Sequence, residues 1–261
     1  MRWTERQRAM LGAMGVTLWM PPSSAPDVDA PPAAPPPRRV TAPAARASTP
    51  VRAIPAALDA PQAATSTAMA DVATLDWEAL RVRVASCRAC RLCESRTQTV
   101  FGVGHPNAHC MIVGEAPGEN EDLQGEPFVG AAGQLLDRML AAIGMTRSAA
   151  APAQQVYIAN TLKCRPPRNR NPEPDELLRC SVYLHRQIEL VRPRLLLAMG
   201  RFAVQTLLDS HEPIGRLRGR VQRWRDVPVV VTYHPAYLLR NPADKSRAWA
   251  DLCLAAAQLT S

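Results

Sequence analysis

Four cysteines set the first chemical constraint on this chain. Cys87 and Cys90 form a C-x2-C pair, and Cys164 and Cys180 follow sixteen residues apart. Two close thiolates and two distant ones can close a four-sulfur site, and zinc and a [4Fe-4S] cluster both accept such a set. A redox C-x-x-C is the weaker alternative, because it needs no distant partners and usually opens a helix in a thioredoxin-like unit that the pattern does not show. Cys93 is left as a spare, and Cys110 and Cys253 read as packing cysteines. A second set of residues carries polar chemistry at the ends of apolar runs: Glu115 within "GEAPG", Asn160 after "VYIA", and His234 before Pro235. A histidine and a carboxylate can move or hold protons, and an asparagine offers one donor and one acceptor face. Between Glu115 and Glu126 lie five acidic residues, Glu115, Glu119, Glu121, Asp122 and Glu126, in a glycine-punctuated stretch that reads as a loop with a chemical rather than a structural purpose.

The elements that must position these groups follow a βαβ rhythm. Apolar runs at 109–114, 156–160, 194–200 and 227–234 read as buried strands, and the segments between them carry apolar residues at helical spacing. The pattern predicts an α/β fold, a three-layer α/β/α sandwich around a mostly parallel sheet, with ligands at the carboxyl ends of the strands. "GEAPG" follows the first strand, Asn160 ends the second, Gly200 the third and His234 the fourth, so all four gather at one edge.

Composition divides the chain. Twelve prolines fall between Pro21 and Pro61 among many alanines, a tract that cannot bury enough surface to offset chain ordering and reads as a disordered linker. The organisation expected is a short amphipathic segment at 1–20, a linker at 21–74 and a folded domain at 75–261. The net charge is +8, and from Asp76 onward 24 Lys plus Arg face 18 Asp plus Glu, with only two lysines among the 24. Arginine at this density suits phosphate contacts, so a polyanionic partner is expected. Lys163, Arg165, Arg168 and Arg170 sit on a proline-stiffened loop that a metal site would anchor and present to a phosphate backbone. Arg216, Arg218, Arg220, Arg223 and Arg225 either line the same face or decorate the solvated side of a hairpin; both readings stay open. No stretch is long and apolar enough to span a bilayer. The start is not a secretion signal, since Glu5 interrupts its basic region and the proline tract follows at once. An odd cysteine count, seven, fits a reducing cytoplasm and a metal site better than a secreted disulfide framework.

Taken together, "CRAC", "VGEAPGENED", "GEPFVGAAGQLLD", "YIANTLKCRPPRNRNP", the later Cys180 and "YHPAYLLRNP" resemble the family 4 uracil-DNA glycosylases, the iron-sulfur branch of the uracil-DNA glycosylase superfamily, from about Cys87 to Leu252. The resemblance implies a [4Fe-4S] cluster on Cys87, Cys90, Cys164 and Cys180, uracil-containing DNA as partner, a monomer, and hydrolysis of the N-glycosidic bond to leave an abasic site in base excision repair. It implies further that Asn160 reads the uracil edge, Phe128 stacks on the flipped base, Glu121 crowds the C5 position against thymine, and His234 donates to O2. Glu115, next to the elbow, is the first candidate for stabilising the sugar and positioning water; Ala116 stands where the superfamily usually has its catalytic aspartate, so Glu121 or a backbone-held water stays open as the activating group. Leu238 and Leu239 are candidate wedges and Arg240 a phosphate contact. The histidine-bearing insertion of a related, covalently linking branch is missing here, so the chain resembles the ordinary hydrolytic branch. A noncatalytic iron-sulfur DNA-binding protein of the same fold is the alternative. Separately, "RAMLGAMGVTLWMPP" resembles the amino-terminal peptide of the clamp-loader psi subunit, implying a replication contact through residues that include Trp19.

Overall fold

Strands β2 (Cys110–Gly114), β3 (Val156–Asn160) and β4 (Leu195–Met199) are buried at every position. That is why their sequences are continuous apolar runs rather than alternating ones, as expected for parallel strands covered on both faces. The computed structural model describes residues 9–10, 12–14 and 71–260; the proline-rich tract up to residue 70 and Trp19 lie outside the described residues. Two short strands, β1 (Val103–Gly104) and β5 (Val221–Trp224), join β6 (Val227–Thr232) to complete a six-stranded sheet in the order β1-β3-β2-β4-β6-β5. The four central strands are parallel, and β1 and β5 run antiparallel at the two edges.

Helices cover both faces, and the two-residue period of the strands decides which side chain meets which layer. Cys110, Ile112, Ile158, Leu197 and Val230 pack on one face with α3 (Ala131–Ala142) and α8 (Lys245–Thr260). Met111, Val113, Tyr157, Leu196 and Val231 pack on the other with α4 (Pro174–Val191) and α5 (Arg201–Leu208). The expected three-layer sandwich is therefore present. A third, smaller apolar cluster joins α1 (Trp77–Ala85) to Leu92, Leu162, Cys164, Cys180 and Tyr183 and forms the floor of the cysteine site. Val72 and Met14, both upstream of Leu75, are buried with the domain, and the Lys245 ammonium donates to the Met14 carbonyl at 3.4 Å. No helix among the described residues is long and apolar enough to cross a membrane.

Two local expectations change, and one open reading is decided. The acidic stretch is not a loop: Glu119–Gln124 forms a short helix, α2, with Glu119, Glu121 and Asp122 in its first turn, where the helix dipole favours negative charge. The arginine-rich run belongs to the β5–β6 hairpin and to packing: Arg218 pairs at 2.9 Å with the fully buried Asp251, and Arg225 pairs at 2.7 Å with Glu189. The last strand stops at Thr232, and His234 caps helix α7 (Pro235–Arg240) instead of ending the strand.

Between α2 and α3 the chain makes a tight turn through Phe128, whose φ is +57°. A Cβ on Gly133 would lie 1.6 Å from the Phe128 carbonyl oxygen. Gly133→Ala should therefore destabilise the fold by about 3 kcal/mol, the upper end for overpacking, as measured by urea unfolding; an unchanged midpoint would show that the turn can relax.

Candidate active site

The strand ends converge as the topology requires. Strand β2 lies between β3 and β4, so successive connections leave it toward opposite sides and open a crevice at its carboxyl end. A cleft of about 820 Å3 occupies that place, and Glu115, Glu121, Phe128, Asn160, Arg201 and His234 are among its walls. Asn160 and His234, 74 residues apart in sequence, thus share one pocket.

Asn160 pairs with Gly114 across β3 and β2. A Cβ on Gly114 would sit 2.3 Å from Asn160 Oδ1 and 2.7 Å from Phe128 Cζ, so the missing side chain is what lets amide and ring meet over the strand. The loop after Asn160 is stitched to the loop after β2: Thr161 N–H donates to Gly114 O at 3.0 Å and Leu162 N–H to Glu115 O at 3.1 Å. Asn160 is only 2% exposed, and its Oδ1 has no hydrogen-bond partner. Most buried polar atoms are paired, so an unpaired acceptor on a residue of the cleft wall marks a place for a ligand donor.

His234 stacks against Phe128, ring centroids 5.2 Å apart and planes 26° from parallel. Its Nδ1 accepts the Ala236 N–H at 3.2 Å, the capping bond of α7. An accepting Nδ1 leaves the proton of the neutral ring on Nε2, which is therefore a donor. Burial, and then the charge of Arg240, push the imidazole down to about 4, so it is neutral across the neutral pH range. Glu115 is pushed the other way: burial raises its carboxyl pKa, against the opposing charges of Arg201 and Arg240.

Three of the remaining four acids have separate partners, which helps explain why so many are tolerated together. Glu119 pairs with Arg165 at 3.2 Å, Glu121 accepts the Val129 N–H at 3.2 Å, and the buried Asp122 accepts the Thr97 N–H through both oxygens at 3.0 and 2.9 Å. Ala116 and Arg240 also line the cleft. Two expected contacts do not reach it. Leu238 is fully buried in the core beneath α7 and is no wedge; Leu239, 44% exposed, is the leucine that faces outward. Lys163 is 1% exposed and cannot meet a phosphate. On the same loop Arg170 is held by Glu173 and Glu176, while Asn169, Arg170 and Asn171 line the cleft. Sequence reasoning missed Arg201, Tyr233 and Tyr237 as cleft residues; Arg201 follows Gly200 directly, so the strand-end rule could have found it.

Cys87, Cys90, Cys164 and Cys180 line a second recess, next to Arg96, Lys163 and Tyr183, and Cys93 lines it too rather than standing apart. Three of the sulfurs receive hydrogen bonds: Arg96 Nη1 to Cys164 Sγ at 2.9 Å, Tyr183 Oη to Cys87 Sγ at 3.3 Å, and the Lys163 N–H to Cys180 Sγ at 3.3 Å. Donors aimed at sulfur suit ligated thiolates. Among the described residues no group of three or more His, Cys, Asp or Glu side chains converges to hold a single metal ion. As free thiols Cys164 and Cys180 are pushed up by burial to about 11 and about 12, the opposite of a reactive redox cysteine.

A sheet-end cleft with a neutral imidazole, an aromatic wall and flanking arginines belongs to an enzyme that handles a flat polar ring carried on a polyanion. The model of the Uracil DNA glycosylase superfamily matches residues 101–256, and the chain belongs to that superfamily, in its type-4 branch. It is 47% identical over 167 residues to the type-4 uracil-DNA glycosylase of Archaeoglobus fulgidus, covering 61% of this chain and 81% of that one. Identity to the type-4 enzyme of Thermotoga maritima is 41% over 172 residues, 65% of this chain and 86% of that one. A type-5 uracil-DNA glycosylase of Pyrobaculum aerophilum is 33% identical over 149 residues, 53% of this chain and 66% of that one.

Because folding lowers the His234 pKa from 6.5 toward about 4, the folded state binds that proton less readily than the unfolded chain does. The resulting stability is present above pH 6.5 and is lost as pH falls from there toward about 4. The pH profile of kcat/KM should accordingly show no inflection near 6.5, the ordinary imidazole value; an inflection there that His234→Asn removes would contradict the neutral-donor assignment.

Proposed function

We propose that the protein excises uracil from DNA by hydrolysing its N-glycosidic bond, and that Asn160 Oδ1 carries the recognition. Leaving a buried amide acceptor unpaired costs about 1–3 kcal/mol, and uracil N3–H is the donor that would satisfy it, with Asn160 Nδ2 donating to O4. Cytosine presents an acceptor at N3 and an amino group at C4, so it mismatches both atoms. The Phe128 ring provides the stacking surface, and Glu121, fixed by its bond from the Val129 N–H, crowds C5 against the thymine methyl.

No covalent nucleophile is needed. As the bond stretches, positive charge develops on the sugar and uracil departs as an anion. Neutral His234 donates from Nε2 to O2, where that negative charge grows, and Glu115 faces the sugar as counter-charge and holds the water. Uracil inside a duplex must first be extruded, at a cost of a few kcal/mol. Leu239 is the outward apolar group available to hold the gap, and Arg240 and Arg201 meet the phosphates at the cleft mouth.

The donor set of the second recess suits a [4Fe-4S] cluster: sulfurs distributed around a hollow, with hydrogen-bond donors directed at three of them. Cys87, Cys90, Cys164 and Cys180 would hold it, and its iron–thiolate bonds would cross-link the turn after α1, the loop after β3 and helix α4. The enzyme is taken to act as a monomer in the cytoplasm. Residues 1–20 would dock it to a replication clamp loader; a pull-down in which Trp19→Ala changes nothing removes that part.

Purified protein incubated with uracil- and thymine-containing oligonucleotides, then treated with alkali, should cleave only the uracil strand, and His234→Ala should slow this by about 10²- to 10³-fold. Equal cleavage of both strands, or of neither, overturns the reading. Cys164→Ser should lose the brown iron-sulfur absorbance; a colourless wild type containing zinc would contradict the cluster.

A further inference from the structure

Only three residues separate the end of β3 from Cys164, and the proposed reaction makes no use of the lysine among them. Lys163 is buried, lines the cysteine recess and gives its backbone N–H to Cys180 Sγ at 3.3 Å. Its side chain folds back on its own strand: Nζ donates to the Asn160 main-chain oxygen at 2.8 Å and to Gln187 Oε1 at 2.6 Å. The Gln187 amide is itself fixed, since its Nε2 donates to Phe101 O at 2.9 Å and to Tyr157 Oη at 3.1 Å, which leaves only Oε1 for the ammonium. The hydrogen-bond acceptors of the lysine are thus neutral oxygens. A buried ammonium needs opposite charge nearby, and the adjacent source is the sulfur set. Arg96 approaches that set separately, donating to Cys164 Sγ at 2.9 Å and to Cys87 O at 2.8 Å. Four thiolates around a cluster carry net negative charge, and these two cations lie beside them.

Lys163 therefore touches both sites at once. Its backbone meets a sulfur, and its ammonium grips the peptide oxygen of the asparagine that faces the cleft. We propose that Lys163 is a positioning residue that ties the cysteine site to Asn160, so that the charge and position of the ligated sulfurs set the aim of the uracil-reading amide. This rests on the reading of Asn160 as the uracil contact and of the four cysteines as ligands. A small shift of the Asn160 peptide would misplace the amide, because its oxygen sits close over the bare Cα of Gly114 beside the Phe128 ring. With the lysine removed, the Asn160 peptide keeps its strand bonds but loses the clamp on its carbonyl.

The test compares Lys163→Met with Gln187→Met, which disturbs the same buried network without releasing the Asn160 carbonyl. Iron per chain, thermal midpoint, the inhibition constant of free uracil and kcat/KM are measured for both. The expected result for Lys163→Met, taken per iron-loaded chain, is uracil inhibition weakened about 10-fold and kcat/KM lowered about 10- to 100-fold, the scale of a misplaced recognition group. Gln187→Met should lose comparable thermal stability and keep its uracil inhibition constant near wild type. Lys163→Gln retains a polar side chain in the cavity and should give the same pattern if the methionine variant does not fold. Iron-loaded lysine variants with wild-type uracil inhibition, or glutamine and lysine variants that lose uracil in proportion to their loss of thermal stability, would overturn the proposal. Wild type without iron, or Asn160→Ala with unchanged uracil inhibition, would instead refute the reading beneath it.

Discussion

The register between β2 and β3 is the constraint on which the site depends. It places Gly114 opposite Asn160, and because glycine has no Cβ, the asparagine amide and the Phe128 ring occupy the space above it. A one-residue slip of β3 would turn Asn160 to the opposite face of the sheet, and a slip of β2 would take Gly114 away from it. The same contact explains the backbone of Phe128, which adopts a left-handed φ of +57° over the bare Gly133. Strain of this kind persists where the surroundings over-determine it, and here they do so beside the cleft.

Around that contact the charges are divided by burial. His234 is held neutral and Glu115 is biased toward its proton, while Arg201 and Arg240 supply positive potential. A neutral imidazole donor avoids a permanent attractive charge for the ground-state base and responds most to the anion that forms as the bond breaks. The cysteine recess sits at the other end of the five-residue segment that starts at Asn160, joined to it through Lys163. The cysteine recess and the cleft are thus neighbours along the chain as well as in space.

Much of this was legible in the sequence because the central strands are buried on both faces, and their unbroken apolar runs leave little ambiguity about the sheet. Strand ends then located Asn160 and the histidine motif together. What could not be read has physical causes. Helix α2, "ENEDLQ", has no apolar period, and what stabilises it is the favourable position of its acids at a helix start together with the Asp122 bonds to Thr97 and Gln98. In the six-residue α7, sequence does not say which of two adjacent leucines faces inward, and packing against α3 and α8 selects Leu238. Lys163 looked like one more cation of a basic loop because its acceptors, the Asn160 carbonyl and Gln187, are brought to it only by the fold. The proton position on His234 depends on a capping bond that no residue type announces.

The central claim is that an unpaired amide oxygen in a sheet-end cleft accepts the N3 proton of uracil. Inhibition of the enzyme by free uracil and by 3-methyluracil tests it most directly, since the two differ only at that atom. Uracil should inhibit, and methylation at N3 should weaken inhibition by at least about 10²-fold, because a site built to pair with a donor rejects the analogue that lacks it. Equal inhibition by the two compounds would contradict the account.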